Sequence, residues 1–237
     1  MHRLFVPEAA AGTLLLKAGR AHYLFAVLRL QPGAKVELFD GQGGRYPAEV
    51  ISPAELLVGA KLPAEKSAGD VVLVQALAKA DKLELVIQKA TELGVARIIP
   101  LATERAIVKL AAQRGAARAE RWRRIAQEAA RQCGRADVPA VDEPCSWEQL
   151  FAELAREPDR RALLLHPEAE LRLSAAVRGA PKLLLAVGPE GGFSPEERER
   201  CATAGLLEVG LGPRVLRTET VALAALAVVQ HLAGELG

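Results

Sequence analysis

Two short runs near the C-terminus decide the fold: Val187-Gly188-Pro189-Glu190-Gly191-Gly192-Phe193-Ser194 and Leu211-Gly212-Pro213-Arg214-Val215-Leu216-Arg217-Thr218-Glu219-Thr220. Each follows an apolar run that reads as a strand, and each leads into a helical pattern. Glycine lacks a Cβ, so backbone amides beside it can come close to a ligand. In open parallel sheets, ligands collect outside the carboxyl ends of strands. Two loops of this kind predict one pocket built from both.

The first loop runs into Ser194-Pro195-Glu196-Glu197. Serine ahead of glutamate at this spacing is a capping box, and Pro195 suits the first helical position. The free amides of such a helix start favour negative charge. No Gly-Lys-Ser/Thr follows, so this is not a phosphate loop. The spacing and place also differ from a dinucleotide fingerprint. A tight surface turn remains open on spacing alone. The second loop adds Arg214, Arg217 and Glu219, with Thr218 a candidate helix cap. A helix start carrying an Arg–Glu ion pair is the plainer alternative.

Outward from the loops, residues 71–237 alternate strands with helices. Val71–Leu77 is a continuous apolar run, as in a strand covered on both faces. Asp81 can cap a helix carrying Leu83, Val86, Ile87, Ala90 and Leu93, with Gly94 in the C-cap position. Strands follow at Val95–Leu101, Ala162–Leu165, Leu183–Val187 and Leu206–Leu211. Further helices are expected at about Ala116–Gln132 and Ser146–Ala155. Alternation of this kind predicts a parallel sheet with helices on both faces. A last helix, Thr218 to Gly234, is almost all Ala, Leu and Val. It is expected to be buried on nearly every side, against another subunit as well as its own sheet, with an ordinary core helix as the alternative.

Residues 1–70 differ. Short apolar runs at Leu4–Val6, Thr13–Leu16, Lys35–Phe39 and Glu55–Val58 are separated by Gln31-Pro32-Gly33 and Asp40-Gly41-Gln42-Gly43-Gly44. Tyr46, Ala48 and Val50 alternate with polar residues. His22–Leu30 is expected as a short helix with Leu24, Val27 and Leu28 on one side. The prediction is a small, mostly antiparallel barrel, joined to the second domain through Pro63–Asp70. The chain is thus an α/β protein in two domains, 1–70 and 71–237.

Composition narrows the class. Of 237 residues half are hydrophobic but only 4% are aromatic, so the core is aliphatic. The net charge of +2 predicts no partner by itself. Local clustering does: Thr103–Arg135 holds nine Lys or Arg against three Glu. Arg114, Arg118, Arg121, Arg124, Arg131 and Arg135 recur so as to form a basic stripe, a usual footprint for nucleic acid, with a merely solvated basic face as the alternative. Trp122 could stack on a base, or be buried. Arg3, Arg20, Arg29 and Arg45 could form a second patch or be scattered solvated charges. Apolar runs fall short of the roughly eighteen residues that span a bilayer. The N-terminus, Met1–Pro7, lacks the long apolar segment of a signal peptide, and three widely spaced cysteines without a disulfide framework make a reducing cytoplasm the simplest expectation. Cys133, Cys145 and Cys201 show no metal or disulfide spacing and are expected as buried or half-buried free thiols. No metal site is expected. His166, at a strand end, either lines a pocket or is structural.

Taken together, these runs resemble the RsmE-type ribosomal RNA uridine N3-methyltransferases, enzymes of the SPOUT class. The two glycine loops carry the likeness. So do Gln88-Lys89-Ala90-Thr91-Glu92-Leu93-Gly94-Val95, Pro100, Thr103-Glu104-Arg105 and Glu128-Ala129-Ala130-Arg131-Gln132 with Arg135. His22 through Val27-Leu28-Arg29-Leu30 and the Asp40-Gly41 turn resemble the family's PUA-like barrel. The resemblance covers nearly the whole chain. Val221 stands where the family has alanine, and Cys133 where serine is frequent.

The resemblance implies a trefoil-knotted SPOUT methyltransferase domain behind a PUA-like β-barrel. It implies S-adenosyl-L-methionine as cofactor, held by Leu165, Gly188, Pro189, Glu190, Gly191, Gly192, Leu211, Gly212, Leu216, Arg217 and Thr220. Arg217 would favour the deprotonated uracil, and Glu190 or Glu219 would take its proton. Arg3, Arg29, Arg105, Arg114, Arg118, Arg121, Arg124 and Arg135 would bind RNA. The substrate would be small-subunit ribosomal RNA or the assembled 30S subunit, and the enzyme a homodimer. A ribose 2′-oxygen methyltransferase and a non-catalytic RNA-binding assembly factor are the rival readings.

Overall fold

The computed structural model describes residues 1–63, 69–78, 80–106 and 112–237, and omits the side chains of 80 and 112–114. Residues 64–68 of the expected linker therefore lie outside the described residues. The chain divides into two compact units: Met1–Ser67 with Ala130–Val138, and Ala68–Ala129 with Pro139–Gly237.

In the first unit, β1 (His2–Phe5), β2 (Gly12–Leu15), β3 (Lys35–Phe39), β4 (Arg45–Ser52) and β5 (Glu55–Val58) form one sheet in the order β1-β3-β4-β5-β2. Tyr46, Ala48 and Val50 of β4 point inward, because alternate residues of a strand face opposite sides. They join Leu4, Val36, Leu38 and Leu56 in the core. All pairings are antiparallel except β1–β3, where Leu4 lies beside Leu38 in parallel register.

The helix expected over His22–Leu30 is different. A short α1 (Ala18–His22) gives way to a π-helical turn over Tyr23–Val27, closed by Leu28 N–H donating to the Tyr23 carbonyl at 2.9 Å. The wider turn shifts the phase of the side chains. Leu24 is buried, but Val27 turns out to solvent, 58% exposed. Arg29 then adopts φ of 54°, the left-handed conformation usually left to glycine after a helix.

One charged residue sits inside this unit. Glu37 is 3% exposed and accepts from Arg3 Nε and Arg45 Nη2, both at 2.7 Å. A buried carboxylate needs such partners. Arg3 also donates to the Arg135 carbonyl at 3.1 Å, and Arg135 pairs with Asp137 at 2.5 Å.

The second unit holds β6 (Asp70–Ala76), α2 (Ala80–Glu92), β7 (Arg97–Leu101), α3 (Ala112–Cys133, whose last turn belongs to the first unit), β8 (Ala140–Val141), α4 (Trp147–Leu154) and β9 (Arg161–Leu165). It continues with α5 (Leu173–Ala176), β10 (Lys182–Val187), α6 (Pro195–Thr203), β11 (Leu207–Val209) and α7 (Thr218–Leu232). The six strands pair in parallel in the order β11-β9-β10-β6-β7-β8. This is the α/β fold class expected. In the middle of the sheet Leu185 of β10 lies between Leu73 and Leu163, all fully buried. Strands covered on both faces are apolar at nearly every position, hence the near-continuous runs, with the buried Gln75 of β6 as an exception.

The order reverses between β6 and β10. From β6 the chain moves outward to β7 and β8, then returns on the other side. Such a switch point opens a crevice at the carboxyl ends of its strands.

Helix α7 packs against α2 and α5 through Ala222, Ala225, Leu226 and Val229. Its other side, with Val221, Leu223, Ala224, Ala227 and Val228, is only half-buried. The expectation of burial on nearly every side thus holds for one stripe within this chain. Trp122 is buried, which removes it as a stacking platform, and Cys133 is exposed, contrary to expectation.

Candidate active site

The loop after β10 begins with Gly188, where an added Cβ would press on the Phe193 ring at 3.3 Å. Pro189 and Gly192 close a turn through a 2.9 Å hydrogen bond from Gly192 N–H to the Pro189 carbonyl. Glu190 and Gly191 are the central residues of that turn. The expected capping box is present: Ser194 Oγ accepts from Glu197 N–H, and the Glu197 carboxylate accepts from Ser194 N–H at 2.9 Å. Glu197 does more. Its Oε1 also accepts from Trp147 Nε1 at 2.8 Å and from Glu104 N–H at 3.0 Å, so this buried carboxylate ties the glycine loop to α4 and to the segment after β7.

The loop after β11 is set by tight backbone contacts. Leu173 N–H donates to the Gly210 carbonyl and Gly210 N–H to the Leu171 carbonyl. Gly212 has φ of 147°, which a residue with a Cβ rarely adopts. Arg217 takes the N-cap place of α7 with no side-chain cap bond, so Thr218 is not the cap. Instead the buried Thr218 hydroxyl donates to the Gly188 carbonyl at 2.6 Å and accepts from Gln75 Nε2 at 2.9 Å.

These loops wall a cavity of about 590 Å³ at the carboxyl ends of β9 and β10. Gly188, Pro189, Glu190, Gly191 and Gly192 form one side, and Leu216, Arg217 and Val221 another. Leu165 and His166, from the end of β9, line it too, and His166 Nδ1 also accepts from Glu168 N–H at 3.3 Å, so His166 has both a pocket place and a structural contact. A smaller recess of about 60 Å³ adjoins it, sharing Leu165, His166 and Leu216 and adding Leu211 and Gly212. Of the residues expected to hold a cofactor, only Thr220 lines neither. Val221 lines both.

Charge in the cavity is mainly positive. Lys82, Arg105 and Arg217 line it against the single carboxylate Glu190. Arg105, expected as an RNA contact, donates to the Gly191 carbonyl at 3.1 Å. Among the described residues Arg217 forms no ion pair. Glu219 does not line the cavity, and its partner is Lys82 rather than an arginine. Lys82 was missed in the sequence, because nothing in its helix pattern marks it as facing a loop more than a hundred residues away.

The remaining arginines divide into two groups. Arg121 and Arg124 are well exposed on α3 and paired with Glu84 and Glu120. Arg118 is half-buried and Arg29 exposed. Arg114 lies in α3, but its side chain is outside the described residues. Arg3 and Arg135 correct the expectation of free phosphate contacts. Their side chains are each 13% exposed and held by carboxylates of their own unit. Among the described residues no cluster of His, Cys, Asp or Glu is placed to hold a metal, and no helix is long and apolar enough to cross a membrane.

A parallel sheet with a glycine-walled crevice at its strand ends, in a chain that also carries a small, mostly antiparallel sheet, suits an RNA-modifying methyltransferase. The family descriptions agree: residues 65–230 match an RNA methyltransferase domain and residues 16–58 an RNA methyltransferase PUA domain. The ribosomal RNA small subunit methyltransferase E of Bacillus subtilis is 32% identical, over 93% of this chain and 91% of that protein. Its namesake from Mycobacterium bovis is 36% identical, over 86% of this chain and 80% of its own. The enzyme of that name from Neisseria gonorrhoeae, solved with S-adenosyl methionine bound, superposes with a TM-score of 0.88 at 32% identity, over 98% of both chains. This chain belongs to the ribosomal RNA small subunit methyltransferase E family.

Proposed function

We propose that this protein transfers a methyl group from S-adenosylmethionine to N3 of a uridine in small-subunit ribosomal RNA. The observation that carries the reading is the shared cavity. Both glycine loops and the end of β9 wall it, and Arg217 lines it without an ion-pair partner among the described residues. The lining suits the donor. Leu165, Val187 and Leu216 are apolar enough for an adenosyl group, and the amides of Gly188–Gly192 and Leu211–Gly212 can hold its polar edges.

When bound there, S-adenosylmethionine supplies a methyl group on a positively charged sulfur. The chain's own residues handle the base. Uracil N3 carries a proton and is a poor nucleophile until that proton leaves. The Arg217 guanidinium stabilises the anionic base through its oxygens. Glu190, which lines the cavity, accepts the proton. Exclusion of water by Phe193, Leu216 and Val221 strengthens both effects.

Arg29, Arg105, Arg114, Arg118, Arg121 and Arg124 supply phosphate contacts, with residues 1–70 acting as the RNA-gripping domain and 71–237 as the catalytic one. Affinity for RNA then falls steeply with salt. The half-buried apolar side of α7 supports a homodimer, which sedimentation tests. The protein works in the cytoplasm, on RNA or on the assembled 30S subunit.

Incubation with labelled S-adenosylmethionine and unmodified small subunits, then nuclease digestion and mass spectrometry, tests the reading. N3-methyluridine is expected. A 2′-O-methyl nucleotide replaces the reading with ribose methylation. No S-adenosylmethionine binding by calorimetry replaces it with a non-catalytic RNA-binding protein. Arg217→Ala lowers the single-turnover rate by about tenfold or more if the guanidinium acts on the base.

A further inference from the structure

Three charged residues meet at the cavity wall from segments far apart in the chain. Lys82 lies in the first turn of α2, Glu190 in the turn after β10, and Glu219 in the first turn of α7. Lys82 Nζ donates to Glu190 Oε1 at 2.8 Å and lies 3.6 Å from Glu219 Oε2. Lys82 and Glu190 line the cavity, and Glu219 stands behind them. Glu219 Oε2 is buried and has no hydrogen-bond donor among the described residues, where the ammonium of Lys82 at 3.6 Å is the charge beside it.

Resting on the proposed function, we infer that Lys82 is a positioning residue of the reaction: it holds the Glu190 carboxylate at the cavity wall and is itself held by Glu219. Glu190 is an exposed residue at the centre of the turn closed by Pro189 and Gly192. An ammonium at 2.8 Å holds its carboxylate. Glu219 has a separate use. As the N3–H bond of the uracil breaks, the proton passes to a Glu190 oxygen and the bonding pair stays on N3. Glu190 becomes neutral at that moment. Lys82 would then lose its partner, but the Glu219 carboxylate remains beside it, so the ammonium is not left unpaired. The lysine is thus satisfied both before and after the transfer. The carboxylates divide the work: Glu190 meets the base, and Glu219 acts through Lys82.

The test compares Lys82→Met, Lys82→Arg and Glu219→Gln with the wild type in single-turnover methylation at saturating S-adenosylmethionine. Lys82→Met is expected to slow the step about tenfold or more, the scale of losing a charged hydrogen bond, with donor affinity within about twofold of wild type. Lys82→Arg is expected to recover most of the rate, because a cation returns to the same place. Glu219→Gln should slow the step by less, and add little to Lys82→Met, since both changes act through one contact. A Lys82→Met rate near that of the wild type, or a loss explained wholly by weaker donor binding, overturns the inference. A crystal structure of Lys82→Met checks the geometric half whatever base the enzyme methylates. Glu190 turned away from the cavity supports it, and Glu190 unmoved overturns it. If the wild type itself makes no N3-methyluridine, the proposed function falls, while the crystal structure still decides whether Lys82 holds Glu190.

Discussion

The Thr218 hydroxyl donates to the carbonyl of Gly188, thirty residues earlier in the chain, at 2.6 Å. This one bond links the two glycine loops, since Thr218 opens α7 directly after the second and Gly188 begins the first. Gln75, fully buried at the end of β6, completes the link by donating to Thr218 Oγ1 at 2.9 Å.

Thr218→Val keeps the shape and removes the hydroxyl. It leaves the Gly188 carbonyl and Gln75 Nε2 without this partner in a dry place, and lowers the unfolding free energy by about 1–3 kcal/mol. Urea denaturation reads the loss, and Thr218→Ser restores most of it. Affinity for S-adenosylmethionine falls with Thr218→Val as well, because the first loop loses its tie to the second.

Gly212→Ala separates backbone strain from crowding. Its added Cβ meets no atom within 4 Å, but φ of 147° disfavours any residue other than glycine. Relaxation of the loop or strain of about 1–3 kcal/mol follows. Calorimetry is expected to show S-adenosylmethionine binding about tenfold weaker, with RNA affinity unchanged.

Acid sensitivity of the first unit follows from Glu37. Burial on its own raises the carboxyl, but hydrogen bonds and charge from Arg45 and Arg3 outweigh it, and the pKa ends below the ordinary value of 4.5. A carboxylate held lower in the folded than the unfolded state contributes stability above the unfolded pKa. That contribution is lost as pH falls through the folded value. Thermal unfolding from about pH 5 to about pH 3 therefore shows a falling midpoint, and Glu37→Gln, less stable at neutral pH, shows a shallower fall.

Thiol chemistry distinguishes the cysteines. Burial pushes the Cys145 thiol up to about 11 and the Cys201 thiol up to about 12, so neither forms thiolate near neutrality. Cys133 is exposed. A disulfide reagent at about pH 8 should label one thiol per folded chain and three in denaturant. Fast labelling of Cys201 in the folded protein would contradict the buried position.

Local signals told much of the second unit in advance. Val71–Leu77, apolar except for Gln75, and Leu183–Val187, apolar throughout, could be read as strands because β6 and β10 lie inside a sheet covered on both faces. Ser194 and Glu197 are neighbours along the chain, so their capping box needs no tertiary knowledge. The two glycine loops could likewise be placed at strand ends. Less was legible in the first unit. The π-helical turn at Tyr23–Val27 and the parallel pairing of β1 with β3 depend on how the chain re-enters the sheet, which no short window records. Glu37, a charged residue inside the apolar run Lys35–Phe39, is buried between two arginines that lie apart from it in the sequence.

The sequence by itself determined the class of fold, the family and the two loops that build the cavity, because these rest on propensity, periodicity and motifs read over a few residues. Only the tertiary structure decided which charges meet there. Lys82, Glu190 and Glu219 become neighbours because β10 returns beside β6 and α7 packs against α2. Such contacts are set by strand order and helix packing over more than a hundred residues. Electrostatic partnership depends on distance in space, and the spacing of residues along the chain does not carry it.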